Sequence, residues 1–383
     1  MALRLGTLNV WGLPEAFSDD VSSRMRALVA RLEASPLDVL LVQEAWTEEV
    51  RDTLREGGVA AGFEVASGAG LGSSGGLMLL SRVPIRAARF ERFEFRGDPE
   101  RIAQGEFLGG KGFQTVVVED GERPLTVINT HLHARYRRGR PRLDSAVRAA
   151  QLLQIVGALR ELPGLVVVGG DFNCSRGDAE YEIFRGLART QEVASGEGFA
   201  TLSKQNFYKR DRSGEDKRID FLFVRPVAGV RWRARGAGLL FDEPVAIRRR
   251  DRSFSDHFGF QAELDWQTVS SVAAATASRR PDPAAFDLAD DLLDLGRAEA
   301  NRRERKHFLH AGGFLGAAAL AAIVRRHPVV DRRRFLRGAA GAIAAVALAP
   351  AVGYGALARV DSDSKRDALD DARAVLAELR GRA

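Results

Sequence analysis

Amide, carboxylate and imidazole side chains recur at the ends of apolar runs in this chain. They lie in Leu8-Asn9-Val10-Trp11-Gly12, Val42-Gln43-Glu44, Asn129-Thr130-His131-Leu132-His133, Gly169-Gly170-Asp171-Phe172-Asn173, Arg218-Ile219-Asp220 and Ser255-Asp256-His257. One such motif carries little meaning. Together they describe one polar site at the edge of a β-rich core. Asn and Glu offer hard oxygen ligands to a divalent cation, and imidazoles move protons or contact phosphate. That set points to metal-assisted phosphoryl hydrolysis.

Each residue has an expected task. Glu44 closes one apolar run and Asn9 another. A carboxylate with an amide carbonyl makes an open Mg2+ site, also suited to Mn2+, that leaves positions for water and a phosphate oxygen. Asp171 follows three valines and two glycines, which permit a sharp turn and close approach of a ligand. There it orients or deprotonates the attacking water, in preference to a purely structural Asx-turn. Asn173 is placed to hydrogen-bond a phosphate oxygen. His131 and His257 are two of only three histidines in residues 1–266. A lone histidine is more often structural, but both lie in motifs with other site residues. His257 needs an orienting carboxylate, and Asp220 is the natural one. Asp256 then faces the metal. His133 either shares the face of His131 and meets substrate, or lines the pocket rim. Lys111, on the turn Gly109-Gly110-Lys111-Gly112, brings a cation within reach of substrate.

Two further features carry less chemistry. The glycine-rich stretch 68–76 looks like a phosphate cradle but lacks the Lys-Ser/Thr that completes one, so a flexible hairpin connection is expected. Cys174 is the only cysteine, which rules out an intrachain disulfide. It reads as a small filler near the site.

Positioning these residues requires strands that end at them. Residues 3–10, 39–42, 75–81, 113–118, 125–130, 165–168, 219–224 and 258–264 read as strands. Residues 24–34 and 143–159 read as helices from their apolar spacing. Apolar runs bounded by turns outnumber good helices, which favours two packed sheets with helices outside over one doubly wound sheet.

Residues 267–305 lose the strand pattern and read as a linker. Two apolar segments follow within 306–360, at 308–324 and 335–358, against a helical hairpin buried in a small soluble domain. Too little sequence surrounds them to bury both, so a membrane hairpin is expected. Residues 361–383 form a charged helix. Residues 1–266 hold 38 Lys and Arg against 37 Asp and Glu, a net of +1, while 267–383 hold 19 against 14, a net of +5. A nuclease wants a basic field around its cleft, so nucleic acid is not the expected partner. The chain runs straight into its first strand, which predicts a cytoplasmic catalytic domain on a membrane anchor.

The motif set resembles the endonuclease/exonuclease/phosphatase superfamily over about residues 3–264. Within it the chain is most similar to neutral sphingomyelinases and inositol-phosphosphingolipid phospholipases C. The similarity rests on Leu-Asn-Val-Trp-Gly-Leu-Pro at 8–14, Gln-Glu at 43–44, Lys-Gly at 111–112, Asn-Thr-His-Leu-His-Ala at 129–134, and the later Gly-Asp-Phe-Asn, Arg-Ile-Asp-Phe and Ser-Asp-His motifs. The resemblance implies a deoxyribonuclease I-like fold: a four-layer α/β sandwich of two packed mixed sheets flanked by helices. It implies Mg2+ at Glu44 with Asn9 nearby, water and phosphate handled by Asp171 and Asn173, phosphate contact by His131, and acid–base work by Asp220, Asp256 and His257. It implies cleavage of a bilayer sphingophospholipid to ceramide and a phosphorylated headgroup. The rivals are a nuclease of the same fold, abasic-site or non-specific, an inositol-polyphosphate phosphatase, and a membrane-anchored binding protein with a dead site. The phosphatases carry Trp-Cys-Asp-Arg where this chain has Lys217-Arg218-Ile219-Asp220. The complete site argues against the binding protein.

Overall fold

Alternate residues of the central strands point into one shared interior. A computed structural model describes residues 2–67, 74–98, 109–121, 123–136, 141–194, 198–209, 214–268 and 281–381. In chain order the elements of the first two-thirds are β1 (Ala2–Asn9), α1 (Val21–Glu33), β2 (Val39–Gln43), α2 (Glu48–Ala60), β3 (Glu64–Ser67), β4 (Met78–Ser81), β5 (Ile85–Arg92), β6 (Gly112–Asp120), β7 (Arg123–His131), α3 (Pro141–Glu161), β8 (Val166–Asp171), α4 (Ala179–Leu187), β9 (Gln191–Glu192), β10 (Asp220–Arg225), β11 (Val230–Leu240), β12 (Val245–Ile247), β13 (Arg250–Arg252) and β14 (Gly259–Thr268). The glycine-rich stretch falls largely on residues 68–73, outside the described residues.

Two six-stranded sheets form, in the orders β11-β14-β1-β2-β4-β3 and β5-β6-β7-β8-β10-β9. Each holds one parallel pair among antiparallel ones: β1 with β2, and β7 with β8. Leu3 and Leu5 of β1, Val39 and Leu41 of β2, Val127 of β7, Val167 of β8 and Leu222 of β10 share one buried cluster between the sheets. The intervening residues Leu8, Val10, Leu40 and Val42 face outward onto Met25, Leu28, Leu32, Val50 and Leu54 of α1 and α2. β2 is therefore covered on both faces, which explains its continuous apolar run Val39-Leu40-Leu41-Val42. Phe172, Phe184, Phe221 and Phe223 pack together by α4, with ring centroids 5.2–5.8 Å apart. The result is the expected four-layer sandwich. Truncating a central interior residue such as Leu41 to Ala should cost about 2–5 kcal/mol, by lost burial and the cavity left behind.

α2, unassigned from sequence, starts where Thr47 accepts a hydrogen bond from Val50 N and Glu48 and Glu49 occupy the first turn. Few of its residues are apolar, Val50 and Leu54 alone among Glu48–Gly57, which hid it, but capping and the helix dipole favour it.

The contact pattern divides the chain into two units. The first is Met1–Leu292 with Ala372–Ala383. It extends into the expected linker because Ala285, Phe286, Ala289 and Leu292 are buried. Most of the residues expected as linker are thus helical: α5 spans Pro283–Arg325 and runs on into the first apolar segment, while residues 269–280 lie outside the described residues. The second unit, Leu293–Asp371, contains the rest of α5, α6 (Pro328–Asp331), α7 (Arg334–Ala356) and the start of α8 (Ser362–Gly381). Its two apolar helices are long and apolar enough to cross a membrane, and they are largely exposed, with Leu309 at 76% and Phe335 at 84%. Near their charged ends Arg366 pairs with Glu304 at 2.9 Å and Arg303 with Asp361 at 3.8 Å.

Candidate metal and phosphate site

The interior rows change character at one end of the sandwich. On β1 the row runs Leu3, Leu5, Thr7, Asn9; on β2 it runs Val39, Leu41, Gln43. On β7 it runs Leu125, Val127, Asn129, His131, and on β8 Val167, Gly169, Asp171. β10, antiparallel, begins with Asp220 and continues to Leu222 and Val224. Strand period alone therefore aims all these polar groups into the space between the sheets. Registers align the ends: Asn9 pairs with Gln43, and Asp171 lies between His131 and Asp220.

A buried amide network underlies the site. Gln43 Nε2 donates to Asn129 Oδ1 at 2.7 Å, and Asn129 Nδ2 donates to the carbonyls of Val42 and Met78 at 3.0 and 2.9 Å. Thus Asn129 of the second sheet satisfies backbone of the first. Truncating it would strand several buried polar atoms, each worth about 1–3 kcal/mol.

Above this layer Asn9 Nδ2 donates to Glu44 Oε1 and to Asp171 Oδ2, both at 3.0 Å. Asn9 Oδ1 accepts from Trp11 N at 3.0 Å, so Asn9 turns its amino group toward the carboxylates. His131 Nε2 lies 3.6 Å from Glu44 Oε1 and 3.5 Å from Asp171 Oδ2. Lys111 is buried beside it, with Nζ 2.9 Å from His131 Nε2 and from the Leu132 carbonyl. Among the described residues two groups could hold a metal ion: Glu44, His131 and Asp171, and Asp171, Asp220 and His257. Asp171 belongs to both.

Asp171 divides its oxygens. Oδ1 accepts from Asn173 N at 2.9 Å, which is an Asx-turn, while Oδ2 faces Asn9 and His131. The turn expected as an alternative to a site is thus part of it. Asn173 Nδ2 donates to the Leu132 carbonyl at 3.0 Å. Gly170 has φ +137°, and a Cβ there would fall 1.9 Å from the Thr130 carbonyl oxygen. At Gly169 a Cβ would meet Leu222 at 2.5 Å. Trp11, Glu44 and Asn173 all take positive φ, at 48°, 60° and 50°. Left-handed backbone at non-glycine residues costs of order 1–3 kcal/mol each and clusters where function requires it.

His257 Nδ1 lies 3.0 Å from Asp220 Oδ2, as expected of an oriented imidazole. Thr201 Oγ1 holds the backbone N of Asp220 at 3.3 Å. Asp220 Oδ1 is buried with no hydrogen-bond partner. Ser255 Oγ donates to the Asn9 carbonyl at 2.6 Å, tying the last motif to the first.

Electrostatics follow from this crowding. Burial, then Asp220, pushes Asp171 up from the usual carboxylate range to about 7. Burial, then Asp256, raises Glu44. Burial opposes charge on His257, yet Asp220, Asp256 and Asp171 hold it well above the ordinary imidazole value. Burial also pushes the Cys174 thiol up, which suits the expected filler.

Two expected residues lie outside both metal-capable groups. Asp256 is half-buried, with Oδ1 3.3 Å from Ser255 Oγ, and close enough to Glu44 and His257 to raise both. His133 is buried with Nε2 3.3 Å from Asp144 Oδ1 on α3. Sequence reasoning gave no role to Asn129, Trp46 or Arg24. Asn129 was legible as the polar break in an interior row. The Trp46 ring lies 6.2 Å from that of His131. Arg24 is fully buried, stacks on Trp11 and Tyr208 at 5.0 and 5.4 Å, and donates to the carbonyls of Val10 and Phe254 at 2.8 and 3.1 Å. It reads as a surface charge in α1 until the loops fold over it.

Comparison with known proteins agrees with this geometry. The model described as Endonuclease/Exonuclease/phosphatase family matches residues 6–257. A Drosophila melanogaster protein provisionally named a neutral sphingomyelinase is 28% identical over 274 residues, covering 69% of this chain and 61% of its own length. The inositol phosphosphingolipids phospholipase C of Schizosaccharomyces pombe is 25% identical over 344 residues, covering 80% of this chain and 76% of its own. A crystal structure of a double mutant of Staphylococcus aureus beta toxin with bound magnesium ions is 19% identical, with TM-score 0.55, covering 68% of this chain and 99% of that one. This last likeness shows the fold.

Proposed function

The chain belongs to the endonuclease/exonuclease/phosphatase family, and on that premise we propose that it is a Mg2+-dependent phosphodiesterase that hydrolyses a sphingophospholipid to ceramide and a phosphorylated headgroup. The observation that carries the reading is the meeting of Asn9, Glu44, His131, Asp171 and the Asp220–His257 pair at one end of both sheets. The names of the relatives and two exposed apolar helices favour a lipid substrate over a nucleic acid.

The donor set fits a hard divalent cation. Asp171 is buried and Glu44 half-buried, both are raised by desolvation and neighbouring acids, and they share one amide donor. Glu44 would hold the cation, with Asp256 adding negative charge from the neighbouring loop, while Asn9, whose amino group rather than its oxygen faces the site, would orient the Glu44 and Asp171 carboxylates. Bound there, it would act as a Lewis acid on a phosphoryl oxygen. Lys111 and His131 bind the remaining phosphate oxygens, and Asn173 helps to orient them. Asp171 takes the proton of the attacking water as the new P–O bond forms. His257, held protonated by Asp220, gives its proton to the ceramide oxygen as the old P–O bond breaks. Residues 1–292 work from the cytoplasmic face, and the apolar helices keep them at their substrate.

One assay panel tests this. Purified full-length protein with Mg2+ is offered sphingomyelin, an inositol phosphosphingolipid, phosphatidylcholine, phosphoinositides and abasic DNA. Ceramide and a water-soluble phosphorylated headgroup should appear only with the sphingolipids, and EDTA should stop their release. Cleavage of abasic DNA alone, or full turnover in EDTA, would sink the reading.

A further inference from the structure

Asp144, Arg148 and Gln151 stand at i, i+4 and i+7 on α3, one face of the helix. All three are buried, and all three reach His133. Gln151 Oε1 accepts from the His133 backbone N at 2.9 Å. Arg148 Nη1 donates to the His133 carbonyl at 3.0 Å, and Glu180 on α4 holds Arg148 Nε at 2.8 Å. Asp144 Oδ1 lies 3.3 Å from the His133 ring at Nε2, while its Oδ2 accepts from Tyr136 N at 2.8 Å. Backbone N, carbonyl and ring of one residue are thus tied to one helix.

The peptide just before His133 faces the site. Its carbonyl, that of Leu132, accepts from Lys111 Nζ at 2.9 Å and from Asn173 Nδ2 at 3.0 Å. The same Nζ is 2.9 Å from His131 Nε2. A buried ammonium is tolerated only where fixed acceptors replace its water. Its usefulness to a reacting phosphate depends on its being held in place beforehand.

We propose that Asp144, acting through His133, is a positioning residue: the α3 clamp fixes the Leu132 carbonyl and so sets the Lys111 ammonium beside His131. His133 is then a strut between α3 and the site and makes no contact with substrate. The consequence for turnover rests on the phosphodiesterase reading; the placement of Lys111 does not.

The test uses the full-length protein in detergent micelles with isotope-labelled lysine Cε. The chain has six lysines, so each resonance can be assigned by substitution. Asp144→Asn and His133→Ala should each move the Lys111 resonance and leave the other five in place. Both should lower kcat about tenfold with KM within about twofold, the pattern of a misplaced group. His133→Gln keeps an N–H donor for Asp144, so its Lys111 signal and kcat should stay near wild type. A folded Asp144→Asn with an unmoved Lys111 signal and wild-type kcat would overturn the proposal. So would a raised KM in His133→Gln, which would make His133 a substrate contact. If Asp144→Asn fails to fold, the two His133 variants carry the test alone. A wild-type protein inactive on every phosphodiester would defeat the functional reading and leave the Lys111 resonance to decide the clamp.

Discussion

Asn9 and Asp171 stand 162 residues apart and are joined by one buried hydrogen bond of 3.0 Å, from Nδ2 to Oδ2. Asn9 ends a strand of the first sheet and Asp171 a strand of the second, so this bond crosses the mouth of the sandwich. The same amide also holds Glu44. Asn9→Ala should leave the buried Asp171 and the half-buried Glu44 carboxylates facing each other without their shared donor. The expected loss is about 1–3 kcal/mol of stability without metal. Added Mg2+ should recover part of it by binding the native state. Thermal melts with EDTA and with Mg2+ measure both, and equal melting temperatures for mutant and wild type in EDTA would refute the role given to Asn9.

Asp171 should make the metal-free protein less stable as pH rises. Its folded pKa is raised from 3.8 to about 7. Between those values the native state holds a proton that the unfolded chain has lost, so stability falls with pH across that window. Glu44, also raised, acts in the same direction. Asp171→Asn should therefore raise the melting temperature at pH 8 in EDTA by a few degrees, a common result when a strained site is relaxed. Turnover should fall with it. A melting temperature below wild type under those conditions would show that the ionised carboxylate stabilises the fold.

Removal of the reacting groups should separate by parameter. Glu44→Gln should lose most of its turnover and regain some at high Mg2+, because a neutral ligand weakens a hard-cation site without abolishing it. His257→Ala should lower kcat by roughly 10²-fold or more, as loss of a positioned acid does. Its fold should survive, since His257 lies at a strand end and packs no core cluster. Steady-state kinetics across a Mg2+ titration test both; a folded His257→Ala with near wild-type kcat would rule out its assigned part.

The apolar unit should govern where the enzyme works rather than its chemistry. Replacing residues 293–371 with a short flexible linker keeps both parts of the first unit. That protein should stay in solution and hydrolyse detergent-dispersed substrate. On intact bilayers it should be much slower, because it has lost the effective concentration a tether gives. The full chain should remain with membranes through a high-salt wash; release by salt alone would mean that the apolar helices are not embedded.

Much of the site was legible because strand period is simple. A residue that ends an interior row must project where the row projects, so Asn9, His131, Asp171 and Asp220 could be read as one group from their apolar approaches. The two-sheet architecture was legible for the same reason, since β2 and β8 are apolar on both faces, β1 and β7 begin their interior rows with apolar pairs, and turns delimit all four. α2 was missed because it holds few apolar residues, Val50 and Leu54 alone among Glu48–Gly57, and α4 because its nine residues make fewer than three turns. The extent of the first unit was missed because Ala285, Phe286, Ala289 and Leu292 resemble a short surface helix until their burial is known.

Tertiary structure alone decided the partners. Sequence determined which residue types stand at which strand ends, and hence that hard ligands and imidazoles gather there. It left open whether His133 shared the face of His131 or lined the pocket rim, because loop backbone after a strand need not keep the strand's alternation. The fold answers with Asp144, at 3.3 Å from the ring. It likewise turned Asn9's amino group, not its oxygen, toward Glu44 and Asp171, because Trp11 N claims the oxygen. A hydrogen bond depends on direction and distance at the scale of tenths of an ångström. Spacing along a chain fixes neither for residues on different strands, so these choices exist only once both sheets have closed.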